Sequence, residues 1–209
     1  MVRRSVLILL VCAALGALAG PVNAGPAEDS ARVFVKSLAD RALSTLKSDV
    51  SKQDRDRQFH AILAEGFDVP AIARFSLGAY WEKASEADRQ EYLKLFQDLI
   101  VQTYSARLSS VYNGQRLDIG AARPDGKIGM WVASKIVSPN PADESVRIDW
   151  RLRQPGGDKH KVVDVVVNNI SMVVTQRDDF VAALQGNGGD VRTFLGVLRE
   201  KIVKLQSGT

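Results

Sequence analysis

The chain has 209 residues, of which 45% are hydrophobic and 25% charged, enough apolar material for one well-packed domain. Its formal charge is +4, and basic and acidic residues alternate without a basic block interleaved with aromatic residues. This pattern gives nucleic-acid binding little support. A mildly positive surface is equally compatible with solvated helix faces and with attraction to anionic membranes.

The beginning of the chain is typical of a cleaved secretory signal. Two arginines precede an apolar run over residues 6–19, and small residues follow as far as Ala24. The run is shorter than the roughly 20 residues of a membrane-spanning helix, which disfavours an uncleaved anchor. We therefore predict a signal peptide over residues 1–24 and a single domain over residues 25–209. Cleavage removes Cys12, the only cysteine, so the mature chain would contain no disulfide and no thiolate metal site.

The first half of the mature chain is predicted to be helical. Apolar residues at three- and four-residue spacing indicate a helix before residue 50 and a short one over residues 51–64. Asp68 is suited to capping a third helix, which Gly78 interrupts. A capping-box pattern at Ser85 begins the longest helix, whose apolar spacing continues for about seven turns until Asn113-Gly114.

From Arg116 onward the hydrophobic period changes to two, which indicates strands. The predicted strands begin near Leu117 and cover 129–137, 146–153 and 161–167, and the chain stays extended over 170–175. Asn168-Asn169 indicates a bulge or tight corner, and helices over 177–184 and 191–205 finish the chain. The predicted fold is α+β: a helical N-terminal half, a small curved antiparallel sheet of about four strands, and C-terminal helices.

The polar residues do not form a recognisable catalytic or metal-binding set. We expect His60 to be half-exposed on its helix and His160 to face water, and zinc sites need several convergent ligands. The Gly-Gly pairs lack the pattern of a phosphate-binding loop. Asp164 is the one acid in an apolar strand, and we expect it on the outer face, bonded to a neighbour. The alternative is a general base whose pKa burial raises.

Two stretches carry a resemblance to a known family. The first runs from Phe67 to Trp81, and the second runs from Val163 to Val173 and is followed by Arg177-x-x-Phe180. With Phe96 and Tyr104 on the long helix, their order and spacing resemble the periplasmic phospholipid-carrier family. This family is the soluble, MlaC-like component of the Mla (toluene-tolerance) transport system. The resemblance covers nearly all of the mature chain.

The resemblance implies a fold related to the cone-shaped nuclear-transport-factor-2-like folds, with a deep apolar pocket. It implies a periplasmic carrier without a cofactor or metal, not an enzyme. The implied cargo is a phospholipid, or a hopanoid, because one branch of the family is associated with hopanoid-producing bacteria. The implied partners are an inner-membrane ATP-driven complex and an outer-membrane lipoprotein complex.

A pocket built on this resemblance would be lined by aromatic and aliphatic residues of the helices and strands. The predicted lipid-binding residues are Phe75, Tyr80, Phe96, Ile100, Tyr104, Val132, Ile148, Trp150, Val165 and Met172. Two alternatives remain open: an isomerase or dehydratase on the same architecture, using Asp164 or Tyr104, and a ligand-free adaptor with a solid core. Apolar spacing alone does not distinguish a filled core from a cavity.

Overall fold

A computed structural model describes residues 25–155, 157 and 159–207. The predicted signal peptide lies outside these residues. The first helices are α1 (Pro26–Lys47), α2 (Lys52–Gly66), α3 (Val69–Leu77), α4 (Tyr80–Lys83) and α5 (Glu86–Val111). The strands are β1 (Arg116–Asp125), β2 (Gly129–Val137), β3 (Val146–Arg153), β4 (Lys161–Val167) and β5 (Ile170–Ser171), followed by α6 (Met172–Gly186) and α7 (Val191–Ser207). The α+β prediction is confirmed.

Local capping sets the starts of the helices that the sequence predicts best. At the start of α5 the Ser85 hydroxyl accepts a hydrogen bond from the backbone N–H of Asp88, and Asp68 caps α3 in the same way. Gly78 ends α3 with a φ of 59°, a left-handed conformation that favours glycine. The break before α4 and the long helix after it are therefore properties of the local sequence.

The five strands form one antiparallel sheet in chain order, from β1 to β5. Two β-bulges interrupt it, one between Ile119 and Ala122 and one where β3 pairs with β4 next to Arg151. Bulges bend a strand and increase its twist. Helix α1 packs on β1 and β2, while α2, α3 and α6 contact β4. The sheet thus presents one face to the helices.

The end of the sheet differs from the prediction. β5 has only two residues, and α6 begins at Met172, where the sequence predicts extended chain as far as residue 175. The Ser171 hydroxyl accepts a hydrogen bond from the backbone N–H of Val174 and starts the helix within a β-branched run. Asn168 and Asn169 form the predicted tight corner, with φ values of 46° and 68°.

The core consists of two clusters. A helical cluster joins α3, α5, α6 and α7 and contains the aromatic residues Tyr92, Phe96, Phe180 and Phe194. A sheet cluster joins α1 and α2 to the inner face of β2, β3 and β4, where Leu152 and others are buried. A cavity separates parts of the two clusters, and both contribute to its walls.

His160 is buried against α1, so the prediction that it faces water is wrong. Its side chain is 6% exposed, its ring centroid lies 5.6 Å from that of Phe34, and Nε2 lies 3.2 Å from the Ser30 hydroxyl. Desolvation lowers the pKa of His160 below its usual value of 6.5. The folded protein therefore favours the neutral imidazole.

We expect stability to fall as the pH drops below about 6.5. In that range the unfolded chain binds a proton at His160 that the folded chain resists, so the free energy of unfolding decreases until the folded-state pKa is reached. Above 6.5 this contribution is fully present. Urea unfolding at several pH values measures the slope, and His160→Gln should reduce it. The control His60→Gln changes an exposed histidine and should keep the wild-type slope; an unaltered slope in His160→Gln contradicts the prediction.

Candidate binding cavity

A cavity of about 330 Å³ lies between the helical cluster and the sheet cluster. Its walls come from α1, α2, α3, α5 and α6, and from β3 and β4. Most of the lining side chains are aliphatic or aromatic, and none is a lysine or an arginine. The volume and the apolar walls are those of a binding site for a small, largely apolar ligand.

Helix α5 supplies the longest wall. Phe96, Ile100, Tyr104 and Leu108 recur every four residues, so their side chains follow one side of the helix. Phe96 is 2% exposed and its ring lies 6.1 Å from that of Phe180, whereas Tyr104 and Leu108 are half-buried. The cavity is therefore closed off from solvent at Phe96, and this wall becomes half-buried towards the C-terminal end of α5.

The sheet supplies the opposite wall. Ile148 and Trp150 of β3 pair with Val167 and Val165 of β4, and directly paired residues share a face of the sheet. The Trp150 indole N–H donates to the Ser134 hydroxyl over 2.9 Å, and this hydroxyl donates to the Ile148 carbonyl over 3.0 Å. The polar end of the indole is thus satisfied away from the cavity, and its ring remains as an apolar surface.

Asp164 points inward, so the prediction that it lies on the outer face is wrong. Val163 has no partner in β3, because Arg151 pairs with Asp164 and the next residue of β3 pairs with Val162. This bulge breaks the alternation of β4. The carboxylate accepts hydrogen bonds from the Ser171 hydroxyl over 2.6 Å and from the backbone N–H of Val173 over 3.2 Å. As predicted, it bonds neighbours, and it holds the first turn of α6 against β4.

The structure brings seven of the ten predicted lipid-binding residues to the cavity: Phe96, Ile100, Tyr104, Ile148, Trp150, Val165 and Met172. The other three lie elsewhere. Phe75 is 42% exposed on α3, beneath the Arg177 guanidinium at 4.9 Å. Tyr80 packs on the helical cluster beside Lys83, and Val132 is fully buried in the sheet cluster. Contact of the seven residues with a ligand stays a prediction.

The sequence reasoning missed the walls formed by α1, α2 and α3. The residues missed there include Leu38, Ala42, Phe59, Ile62 and Ile72. They occupy regular apolar helix positions, which the spacing assigns to a buried face without saying what the face meets. Nothing in the sequence separates them from residues of a solid core.

A second hollow, of about 720 Å³, lies along the seam between α2 and α5 and is lined mostly by polar residues. There the Asp56 carboxylate accepts hydrogen bonds from Lys52, Gln102 and Ser105. Burial alone would raise the pKa of Asp56, but these hydrogen bonds and the Lys52 charge outweigh it and leave the pKa below its usual range. Because these groups hold α2 and α5 together, the hollow is a structural seam, and the apolar cavity is the better candidate site.

Two further features concern metal ions and membranes. Across the part of the chain that the structure describes, no three His, Cys, Asp or Glu side chains are grouped to hold a metal ion. Among the same residues, none of the helices has both the length and the apolar character needed to cross a bilayer.

Comparisons with known proteins agree with this geometry. The intermembrane phospholipid transport system binding protein MlaC of Haemophilus influenzae is 25% identical over 171 residues, which cover 78% of this chain and 79% of that protein. The toluene tolerance protein ttg2D of Pseudomonas putida is 30% identical over 131 residues, or 62% of this chain and 59% of that protein.

The fold is similar to that of a solved structure, the phospholipid-binding protein from Ralstonia solanacearum in complex with a phospholipid. The TM-score is 0.72 at 22% identity, over 84% of this chain and 98% of the other. The model of the MlaC protein family matches residues 36–200, most of the chain. The hopanoid-associated branch stays a prediction, but the resemblance seen in the sequence is confirmed: the chain belongs to the MlaC protein family.

Proposed function

We propose that this protein is a periplasmic carrier that holds the acyl chains of a phospholipid in its apolar cavity. The observation that carries this proposal is the cavity itself, which has apolar walls, is partly open to solvent and has no lining lysine or arginine. Membership of the MlaC family and the name of the Haemophilus influenzae relative support phospholipid as the cargo. The predicted signal over residues 1–24 supports export to the periplasm.

The size of the cavity sets how much lipid it holds. A methylene group is close in size to a water molecule, which takes up about 30 Å³ in the liquid, so about 330 Å³ has room for about eleven methylenes. At about 0.8 kcal/mol for each buried methylene, their burial contributes roughly 9 kcal/mol. A diacyl lipid is larger than this. It fills the cavity with part of its chains and keeps its headgroup near the open end, in water.

We infer that the carrier works without catalysis. Asp164 is the only acid among the residues that line the cavity, and both of its oxygens accept hydrogen bonds that hold α6. A carboxylate used in this way is not a free general base. Transport direction would then come from partners, for which we propose an inner-membrane ATP-driven complex and an outer-membrane lipoprotein complex.

The test is to express the full chain in a bacterium with a periplasm, purify it without detergent, and compare native and denaturing mass spectra. A co-purifying phospholipid that extracts into organic solvent is the expected result. A co-purifying hopanoid would support the carrier function but would identify a hopanoid as the cargo in place of a phospholipid. A ligand-free mass, with no uptake from phospholipid vesicles, would overturn the proposal in favour of an adaptor or an enzyme.

A further inference from the structure

The face of the sheet that is turned away from the helices carries a concentration of positive charge. On β1, β2 and β3 its residues alternate with the buried ones, and directly paired residues share a face. We call this the outer face. Its basic side chains are Arg116, Arg123, Lys135, Arg147, Arg151 and Arg153. Its acidic side chains are Asp118, Asp125 and Asp149, so the basic groups are in excess.

One carboxylate of the outer face is shared by two guanidinium groups. Asp125 accepts hydrogen bonds from Arg151 over 2.7 Å and from Arg153 over 2.6 Å. The Arg153 side chain crosses Gly129, which lies between Arg153 and Asp125 in the pairing and where an added Cβ would overlap the guanidinium. Arg151 also lies 5.4 Å from the centre of the Trp131 ring. Both arginines are therefore held against the sheet, which reduces the entropy that they lose on binding a partner.

Two other basic side chains of the outer face have no acidic partner. Among the residues that the structure describes, neither Arg123 nor Lys135 forms an ion pair, and both are exposed. The Arg123 guanidinium lies 5.5 Å from the centre of the Trp131 ring. Elsewhere on this face an acid lies beneath its base, because the side chain of Asp149 is 15% exposed and that of its partner Arg147 is 57% exposed. The groups that meet the solvent are therefore predominantly positive.

The chemistry of the outer face suits the phosphate groups of a membrane surface. Guanidinium groups bind phosphate through paired hydrogen bonds, and tryptophan is favoured where an apolar surface meets water. Stable interfaces between proteins instead have a centre that is depleted of charge, whereas guanidinium groups from two neighbouring strands approach the central Trp131. We propose that the outer face of β1, β2 and β3 docks this protein on an anionic phospholipid membrane.

Docking through the outer face leaves the cavity uncovered. Ile148 and Trp150 line the cavity from the inner face of β3, and Arg147 and Arg151, which alternate with them, lie on the outer face. The attraction of the basic groups thus raises the concentration of the protein at the membrane without blocking the cavity. This docking goes beyond the carrier function proposed above and does not depend on it.

The test is sedimentation of the purified protein with vesicles of phosphatidylcholine alone, or of phosphatidylcholine and phosphatidylglycerol in equal parts. The wild type should bind only the anionic vesicles and should be released at about 1 M salt, where the screening length is about 3 Å. Arg123→Gln and Lys135→Gln together should weaken binding by about tenfold or more, because each basic residue near an anionic surface contributes roughly fivefold. Neither residue is in an ion pair, so the double change leaves no carboxylate unpaired.

The matched control is Lys94→Gln with Lys201→Gln, which removes two positive charges from exposed positions of α5 and α7. It should keep the wild-type binding. Equal weakening by the two double variants would overturn the assignment, because net charge and not the outer face would then drive binding. A wild type that binds both kinds of vesicle equally, or neither, would overturn it as well.

Lipid loading distinguishes this docking from the carrier function. Native mass spectrometry of the same preparations should show unchanged loading in both double variants. A protein that binds anionic vesicles but never holds a lipid would contradict the carrier function and leave the docking face intact. Thermal unfolding of each variant checks that the fold is retained.

Discussion

Replacing Ala42 with phenylalanine is expected to reduce lipid loading at least tenfold while the protein stays folded. Ala42 lies on α1 and its side chain lines the cavity. A benzene ring needs a cavity on the order of 150 Å³, close to half of the about 330 Å³ available here. The phenyl ring would take the place of about five methylenes of the cargo, which weakens binding by roughly 4 kcal/mol at about 0.8 kcal/mol each.

The same change should cost little stability because the new ring enters empty space. Overpacking a filled core typically costs about 1–3 kcal/mol, whereas a ring that covers apolar walls in a cavity gains contacts. Native mass spectrometry measures the bound lipid, and urea unfolding measures the free energy of unfolding. We expect a change in unfolding free energy of less than about 1 kcal/mol.

Ala73→Phe is the matched control. Ala73 is fully buried in the helical cluster, and its carbonyl accepts the hydrogen bond of the buried Tyr92 hydroxyl over 3.0 Å. The same added ring has no space there and should destabilise the protein by 3 kcal/mol or more, at about the upper end of overpacking costs. Equal destabilisation by Ala42→Phe and Ala73→Phe would mean that the hollow beside α1 is filled in solution, and would favour a solid adaptor.

The contrast between these two alanines marks the limit of what the sequence predicts. Both occupy apolar positions of amphipathic helices, and periodicity assigns both to a buried face. The difference between a core and a cavity arises from the distance between the helices and the sheet, which depends on how elements far apart in the sequence pack together. No local pattern encodes that distance.

The elements that could be predicted are those with strong local signals. Helix α5 begins at the Ser85 cap, and the strands β2, β3 and β4 match the alternating runs. The wrong predictions concern residues whose position depends on a contact with a distant part of the chain. Asp164 and Ser171 together start α6 inside a β-branched run. His160 is buried by its contact with α1.

The same difference between local patterns and long-range contacts explains which of the predicted lipid-binding residues line the cavity. The predicted residues that line the cavity lie mostly on the long helix and on regular strands, where the period gives the face. Met172 lines it from the start of α6, where extended chain was predicted. Phe75 lies outside the cavity because α3 buries Val69, Ala73 and Leu77, and a residue two positions from Ala73 points well away from that face. Val132 is on the predicted face of β2 but lies under α1. Alternation along β2 predicts the face on which Val132 lies, but it does not predict which helix packs against that face.

Replacing Phe180 with alanine is expected to cause the largest loss of stability, about 3–5 kcal/mol. Phe180 is 3% exposed, and its ring centroid lies 5.0 Å from that of Phe194, 6.1 Å from Phe96 and 6.2 Å from Tyr92. It connects α6 to both α5 and α7. Truncation removes the edge-to-face contacts and leaves a void that three fixed rings cannot fill.

The measurement is urea unfolding of the purified variant, with Phe75→Ala as the control. The control removes the same atoms from a ring that is 42% exposed, so it should cost less than about 1 kcal/mol. Because a domain of this kind has a total stability of about 5–15 kcal/mol, the loss expected for Phe180→Ala is a large fraction of the total. Similar losses for the two variants would mean that the ring cluster is loosely packed, and that the closed end of the cavity is not fixed by it.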